Sequence, residues 1–221
     1  MGKERLAAFS DGVIAIIITI MVLELRVPSG GTLAALRPLV PVFLSYVLSF
    51  IYVGIYWNNH HHLLAATERV NGAILWANMH LLFWLSLAPF TTAWMGEHRH
   101  ESAPTAAYGV LLLAASLAYW ILQRAILAAQ GPKSRLASAV GGDLKGKLSP
   151  ALYTLAVVLS FVRPWLADGL YVLVALMWLI PDRRIERVLS DSPGEGGGSG
   201  DAEAAPISPP EPGTAPRRTQ S

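Results

Sequence analysis

The chain has 221 residues, 53% of them hydrophobic and only 14% charged, with a mean hydropathy of +0.43, whereas a soluble domain carries roughly a quarter charged residues. Between Val13 and Ile180 the charges fall into short clusters that separate apolar runs, which excludes an ordinary soluble domain and indicates a polytopic membrane protein. The net charge of +2 and the pI near 9.0 arise from basic residues at helix ends rather than a patch with interleaved aromatics, so no nucleic-acid partner is indicated, and the absence of cysteine excludes disulfides and thiolate metal sites.

A membrane-spanning helix needs about 20 predominantly apolar residues, and six candidates appear. The first runs from Leu6 to Leu25 and is ended by Pro28-Ser29-Gly30-Gly31. It has no small-residue cleavage site, so it reads as a retained helix rather than a signal peptide. The second runs from Leu39 to Leu64, the third from Val70 to Met95 and the fourth from Ala106 to Ala129. After a loop from Gln130 to Lys147 come two shorter segments, Leu148–Val162 and Trp165–Ile180, separated by Arg163-Pro164. These fit either two spans or a re-entrant hairpin, and both options leave the termini on one side. Of the 17 Lys and Arg, only Arg26, Arg37, Arg99 and Arg163 fall on the other side, so the positive-inside rule places both termini in the cytoplasm. The expected fold is thus all-α, a multi-pass protein of the cell membrane with six transmembrane helices over residues 1–187. The tail, 188–221, is rich in Gly and Pro and is expected to be disordered.

Only the residues Gly12 to Leu23 separate Asp11 from Glu24, about 18 Å of helix against a hydrocarbon core of about 30 Å. Asp11 therefore belongs inside the first helix near the cytoplasmic boundary, where a carboxylate needs a partner. Alternatively, Ser10 or Asp11 caps the helix N-terminus. Arg5 lies about 240° round the helix from Asp11, so their partners must come from other helices. One polar cluster, Trp57-Asn58-Asn59-His60-His61-His62, sits at the cytoplasmic end of the second helix, and Asn78 enters the third from that side. Adjacent histidines point about 100° apart and cannot converge on a metal as an i, i+4 pair does. A polar network between helices, joining Arg5, Ser10 and Asp11 to His60 or His61, fits better than a metal site. Beyond Gly12 the only polar side chain before Glu24 is Thr19, and Ile16, Ile20 and Leu23 form an i, i+4, i+7 stripe. Periodicity alone assigns such a stripe to lipid or bundle packing.

Arg5-x-x-x-Phe9-Ser10-Asp11, continuing into Gly12-Val13-x-Ala15-Ile16-x-x-Thr19 and Leu23-Glu24-Leu25, resembles the first helix of bacterial members of the transmembrane protein 175 family of potassium channels. Ser45-Tyr46, Ser49-Phe50 and Tyr56-Trp57-x-Asn59-His60-His61 resemble that family's second helix. Leu85-Ser86-Leu87-x-Pro89-Phe90-Thr91 and Ile180-Pro181-Asp182-Arg183-Arg184 also fit. The resemblance covers Arg5 to Arg187. It implies a homotetramer in which four first helices line the pore, with potassium as the permeant ion and no cofactor. It also implies constrictions at Ile16, Ile20 and Leu23, a selectivity hydroxyl at Thr19, and an architectural role for Arg5, Ser10, Asp11, Trp57, Asn59, His60, His61 and Asn78. The chain has no Thr-Val-Gly-Tyr-Gly filter, so a ring of isoleucines would gate by dewetting. Some relatives carry a second hydroxyl where Ala15 stands here, leaving Thr19 alone.

Other function classes compete. A secondary or proton-coupled ion carrier would show inverted repeats and broken helices with midplane charges; no repeat is apparent, and the mid-helix breakers are Pro89 and Pro164. A membrane enzyme would have to use Glu97-His98-Arg99-His100-Glu101, which lacks helical metal spacing and a nucleophile and reads as a solvated outer loop.

Overall fold

The computed structural model describes residues 2–131 and 144–179. Most of the loop between the fourth and fifth predicted spans, the Ile180-to-Arg184 segment and the tail lie outside the described residues. Helix α1 is Lys3–Leu23. A 3₁₀ segment, Leu33–Leu39, leads into α2, Val40–Ala65. Helices α3, Gly72–Ser86, and α4, Ala88–Glu97, follow in line, then α5, Ser102–Gln130. The described residues end with α6, Leu144–Ser160, and α7, Pro164–Leu179. No strand occurs among them. Lys3–Leu23, Leu33–Ala65, Gly72–Glu97 and Ser102–Gln130 are each long and apolar enough to cross a membrane, and Pro164–Leu179 is a shorter apolar helix.

The third predicted span, Val70 to Met95, is present as Gly72–Glu97 but does not run unbroken: it is interrupted at Leu87, between α3 and α4. Pro89 has no N–H to donate and its ring crowds the preceding turn. Ser86 and Thr91 hydroxyls donate to Phe83 O, and to Leu87 O and Ala88 O, satisfying carbonyls around the break. Nor does Ser10 or Asp11 cap α1, because the helix starts two turns earlier with Gly2 at its N-cap. The start of α3 is capped instead by Asn71, whose Oδ1 accepts from Ile74 N at 3.0 Å.

One end of the bundle is tied by two long-range bonds. Lys3 Nζ donates to Ala65 O at 2.6 Å and Gln130 Nε2 to Ala66 O at 2.8 Å. Both cover carbonyls that the C-terminus of α2 leaves without helical partners, so the start of α1 and the ends of α2 and α5 lie together. The core has two parts. Leu6, Ile14, Ile17 and Met21 of α1 pack with residues of α2, α3 and α5. Tyr52, Tyr108, Tyr153 and Tyr171 join α2, α5, α6 and α7 around a second cluster.

In that second cluster the hydroxyls of Tyr52, Tyr108 and Tyr171 each bond to another helix. Tyr52 donates to Tyr171 O at 2.6 Å, and Tyr171 donates to Thr105 O at 3.0 Å. Tyr108 shares a 2.9 Å bond with Ser49, which accepts from Thr92 at 2.7 Å. A buried hydroxyl without a partner is costly in an apolar interior, so these bonds fix how the helices are rotated against each other.

Candidate functional site

Helix α1 presents two different faces. Leu6, Ser10, Ile14, Ile17 and Met21 are buried, a spacing that keeps them on one side of a 3.6-residue helix. Roughly 140° round, by the same geometry, Gly12, Ile16, Thr19, Ile20 and Leu23 are exposed. Ile16 is 58% exposed, Ile20 41% and Leu23 79%, so the single chain leaves its most apolar stripe uncovered. Ile16 and Ile20 also border a cleft of about 760 Å³ whose far wall is Pro89, Phe90 and Trp94 of α4. Thr19 Oγ1 donates to Ile16 O at 2.8 Å. With its proton committed to the backbone, the hydroxyl oxygen turns lone pairs outward from the stripe.

Behind that stripe a chain of hydrogen bonds anchors the buried face. Ser10 Oγ donates to Leu6 O at 2.9 Å and accepts from Asn78 Nδ2 at 3.0 Å. Asn78 Oδ1 lies 2.7 Å from His60 Nε2. Since the Asn78 amide nitrogen already donates to Ser10, its oxygen accepts and His60 Nε2 carries the proton. Helices α2, α3 and α1 are thereby joined in series through three fully buried side chains. His60 Nδ1 is left buried without a partner among the described residues. Alongside, Trp57 Nε1 donates to Asp11 Oδ1 at 3.0 Å, a charge-assisted bond from α2 to α1.

Other residues of the predicted network stand apart. Arg5 is exposed and forms no ion pair among the described residues. It lies on the same face as Gly12, Ile16 and Leu23, turned away from the Ser10 side. Asn59 Nδ2 donates to Ile55 O of its own helix at 2.8 Å. His61 is exposed and touches the Trp57 ring at 6.0 Å between centroids. Among the described residues, no three His, Cys, Asp or Glu are grouped to hold a metal. Glu97, read from sequence as part of a solvated loop, pairs with Arg26 at 2.8 Å.

Leucine at Asn78 removes both the donor to Ser10 and the acceptor for His60. It should destabilise the subunit by about 2 kcal/mol, since each buried polar group left unpaired costs about 1–3 kcal/mol and membrane interiors give the lower values. Denaturant titration of detergent-solubilised Asn78→Leu measures this; unchanged stability would mean the chain of bonds contributes nothing.

Residues 5–89, which contain nearly all of α1, all of α2 and the whole anchor, match the family described as endosomal/lysosomal potassium channel TMEM175. A potassium channel of Chryseobacterium sp. (strain P1-3) is 54% identical over 192 residues, covering 87% of this chain and 100% of that one. The chain belongs to the TMEM175 family. Another TMEM175 relative, a potassium channel of Chamaesiphon minutus, is 32% identical over 188 residues, 80% of this chain and 93% of its own. The crystal structure of a lysosomal potassium-selective channel TMEM175 homolog from Chamaesiphon minutus matches the fold with a TM-score of 0.71 at 29% identity. It covers 80% of this chain and 96% of that chain. TMEM175 is a family of ion channels, not of enzymes, and its members are membrane proteins.

Proposed function

We infer that four copies of this chain assemble around α1 into a potassium-permeable channel of the cell membrane. The observation that carries this reading is the uncovered stripe of Ile16, Thr19, Ile20 and Leu23 on a helix whose opposite face is pinned to α2 and α3. Four such stripes around one axis make a pore wall of apolar rings with a single ring of hydroxyls. Isoleucine rings at Ile16 and Ile20, and a leucine ring at Leu23, would close by expelling water. Thr19 would offer oxygen to a partly dehydrated potassium ion at the same level. The bonds among Ser10, Asn78 and His60, and between Trp57 and Asp11, would hold each α1 at a fixed rotation. His61, exposed beside Trp57, would complete that support across subunit contacts.

Residues 1–187 would form the channel domain, with six spans and both termini cytoplasmic, and 188–221 a cytoplasmic tail. The Lys3 and Gln130 bonds to α2 support this orientation, because they gather the start of α1 and the ends of α2 and α5 at one end. Lys3 and Arg5, in the first turn of α1, belong to that end. Helices α6 and α7, each about 25 Å long and joined at 161–163, would cross as a pair.

The chain contains no cysteine, so single cysteines report cleanly. Leu23→Cys and Ile20→Cys should let a charged, membrane-impermeant thiol reagent alter the current within minutes. Ile17→Cys, on the buried face, should not respond. Reagent insensitivity at both Leu23 and Ile20 would place the stripe against lipid and remove the pore assignment.

A further inference from the structure

We propose that the chain holds an anionic phospholipid in a cleft between α2, α5, α6 and α7, away from the α1 stripe. The cleft has a volume of about 800 Å³, within the usual range for ligand sites of about 300–1,000 Å³. Along α5 it extends from Ser116 to Gly131, about 22 Å of helix. Its deep part is walled by Tyr52, Tyr56 and Tyr153, and its upper wall by Trp120 and Trp178. The tyrosine hydroxyls of Tyr52 and Tyr56 turn away to backbone carbonyls of α7 and α5. The Trp178 indole N–H donates to Ser149 Oγ at 2.8 Å. What these side chains offer the cleft is therefore ring surface, suited to an acyl chain.

The mouth has the opposite chemistry. Arg124 and Lys147 line it, and no carboxylate does among the described residues. Neither cation forms an ion pair with a described residue. Arg124 is stacked over the Trp120 ring at 5.2 Å, which holds its guanidinium at the rim instead of in bulk solvent. Just inside, Gln123 is 7% exposed as a residue, and its side chain makes no hydrogen bond with any described residue. An amide with no protein partner that is open to a cleft is placed to meet the ester or phosphate oxygens of an occupant. Two cations, one unspent amide and an aromatic throat match one phosphate and one chain of a lipid. Basic pockets between transmembrane helices on the cytoplasmic side take anionic headgroups for this reason. The lip lies at the end of α5 that Gln130 ties to α2, so the cytoplasmic leaflet supplies the lipid if the orientation proposed above holds. Binding itself rests on the cleft alone.

The test uses the full-length protein, delipidated in neutral detergent, with retained lipid counted by native mass spectrometry and stability read by thermal unfolding. Phosphatidylglycerol should bind about tenfold more tightly than phosphatidylcholine, given two cations near the headgroup. The Arg124→Gln/Lys147→Gln double variant should lose that preference. Ser116→Phe, which fills the throat and leaves the charges in place, should weaken both lipids. Inorganic phosphate alone should neither stabilise the protein nor displace phosphatidylglycerol. Equal binding of the two lipids, or full competition by phosphate, would overturn the proposal. So would unchanged binding in Ser116→Phe, which leaves the cleft to water or polypeptide. No current enters these readouts, so a failed lipid site and a failed channel assignment are separable.

Discussion

Asparagine in place of Ile16 is expected to raise unitary conductance by about tenfold, equivalent to removing roughly 1.4 kcal/mol from the permeation barrier. Ile16 is more than half exposed in the subunit and contributes nothing to either core cluster, so the substitution should leave folding nearly unchanged. A ring of four isoleucines offers water no hydrogen bonds, and a narrow apolar ring empties for that reason. Four asparagine amides supply donors and acceptors at the same position, and the constriction stays wet. Single-channel recording in planar bilayers measures the change. Should Ile16 face lipid instead, the amide would meet hydrocarbon, costing stability, and the current would not change.

Alanine at Gly109 should have the largest effect on stability, a loss of about 3 kcal/mol. A Cβ built there meets the Tyr171 hydroxyl and lies 2.8 Å from the Val157 methyl, closer than carbon atoms pack. Overpacking of this kind costs about 1–3 kcal/mol. Moving Tyr171 aside also breaks its bond to Thr105 O, leaving a buried hydroxyl and carbonyl to be satisfied at about 1–3 kcal/mol. Gly169, on the same helix as Tyr171, has nothing within 4 Å of a built Cβ, so Gly169→Ala is the matched control. Thermal unfolding in detergent should show a large fall for the first and little change for the second. Equal behaviour would mean that α5 and α7 do not approach closely at Gly109.

The positions of the long helices were legible because the apolar runs are bounded by charges and turn residues, as at Glu24 and at Pro28-Ser29-Gly30-Gly31. The break at Leu87 was visible only as Pro89; whether a proline kinks a helix or ends it depends on the local bonding, and here the Leu87 N–H turns to Trp84 O while the Ser86 hydroxyl covers Phe83 O. For the polar anchor, residue type and membrane side identified Ser10, Asp11, Trp57, His60 and Asn78 as candidates. The pairing of Asp11 with Trp57, and of Ser10 with Asn78, depends on how the helices are rotated, which no local pattern encodes. Arg5 illustrates the same limit. Its charge suggested a place in the network, but its angular position puts it on the exposed face of α1.

The tyrosine cluster and the lipid cleft were not anticipated. Tyr52, Tyr108, Tyr153 and Tyr171 each sit in an unremarkable apolar helix, and only their convergence makes a unit. Gln123 and Arg124 read as two polar residues near the end of α5, with nothing in the sequence to show that α6 and α7 leave a space beside them. A search for polar residues within apolar spans that lack a complementary polar residue at the same depth would have flagged Gln123.

The central claim, potassium permeation through four α1 helices, is tested most directly by the reversal potential of purified protein in liposomes under opposed potassium and sodium gradients. The channel assignment predicts unitary conductance steps and a reversal potential displaced toward the potassium equilibrium potential. No cation current, chloride selectivity, or a saturating coupled flux without conductance steps, as a carrier would give, would contradict it.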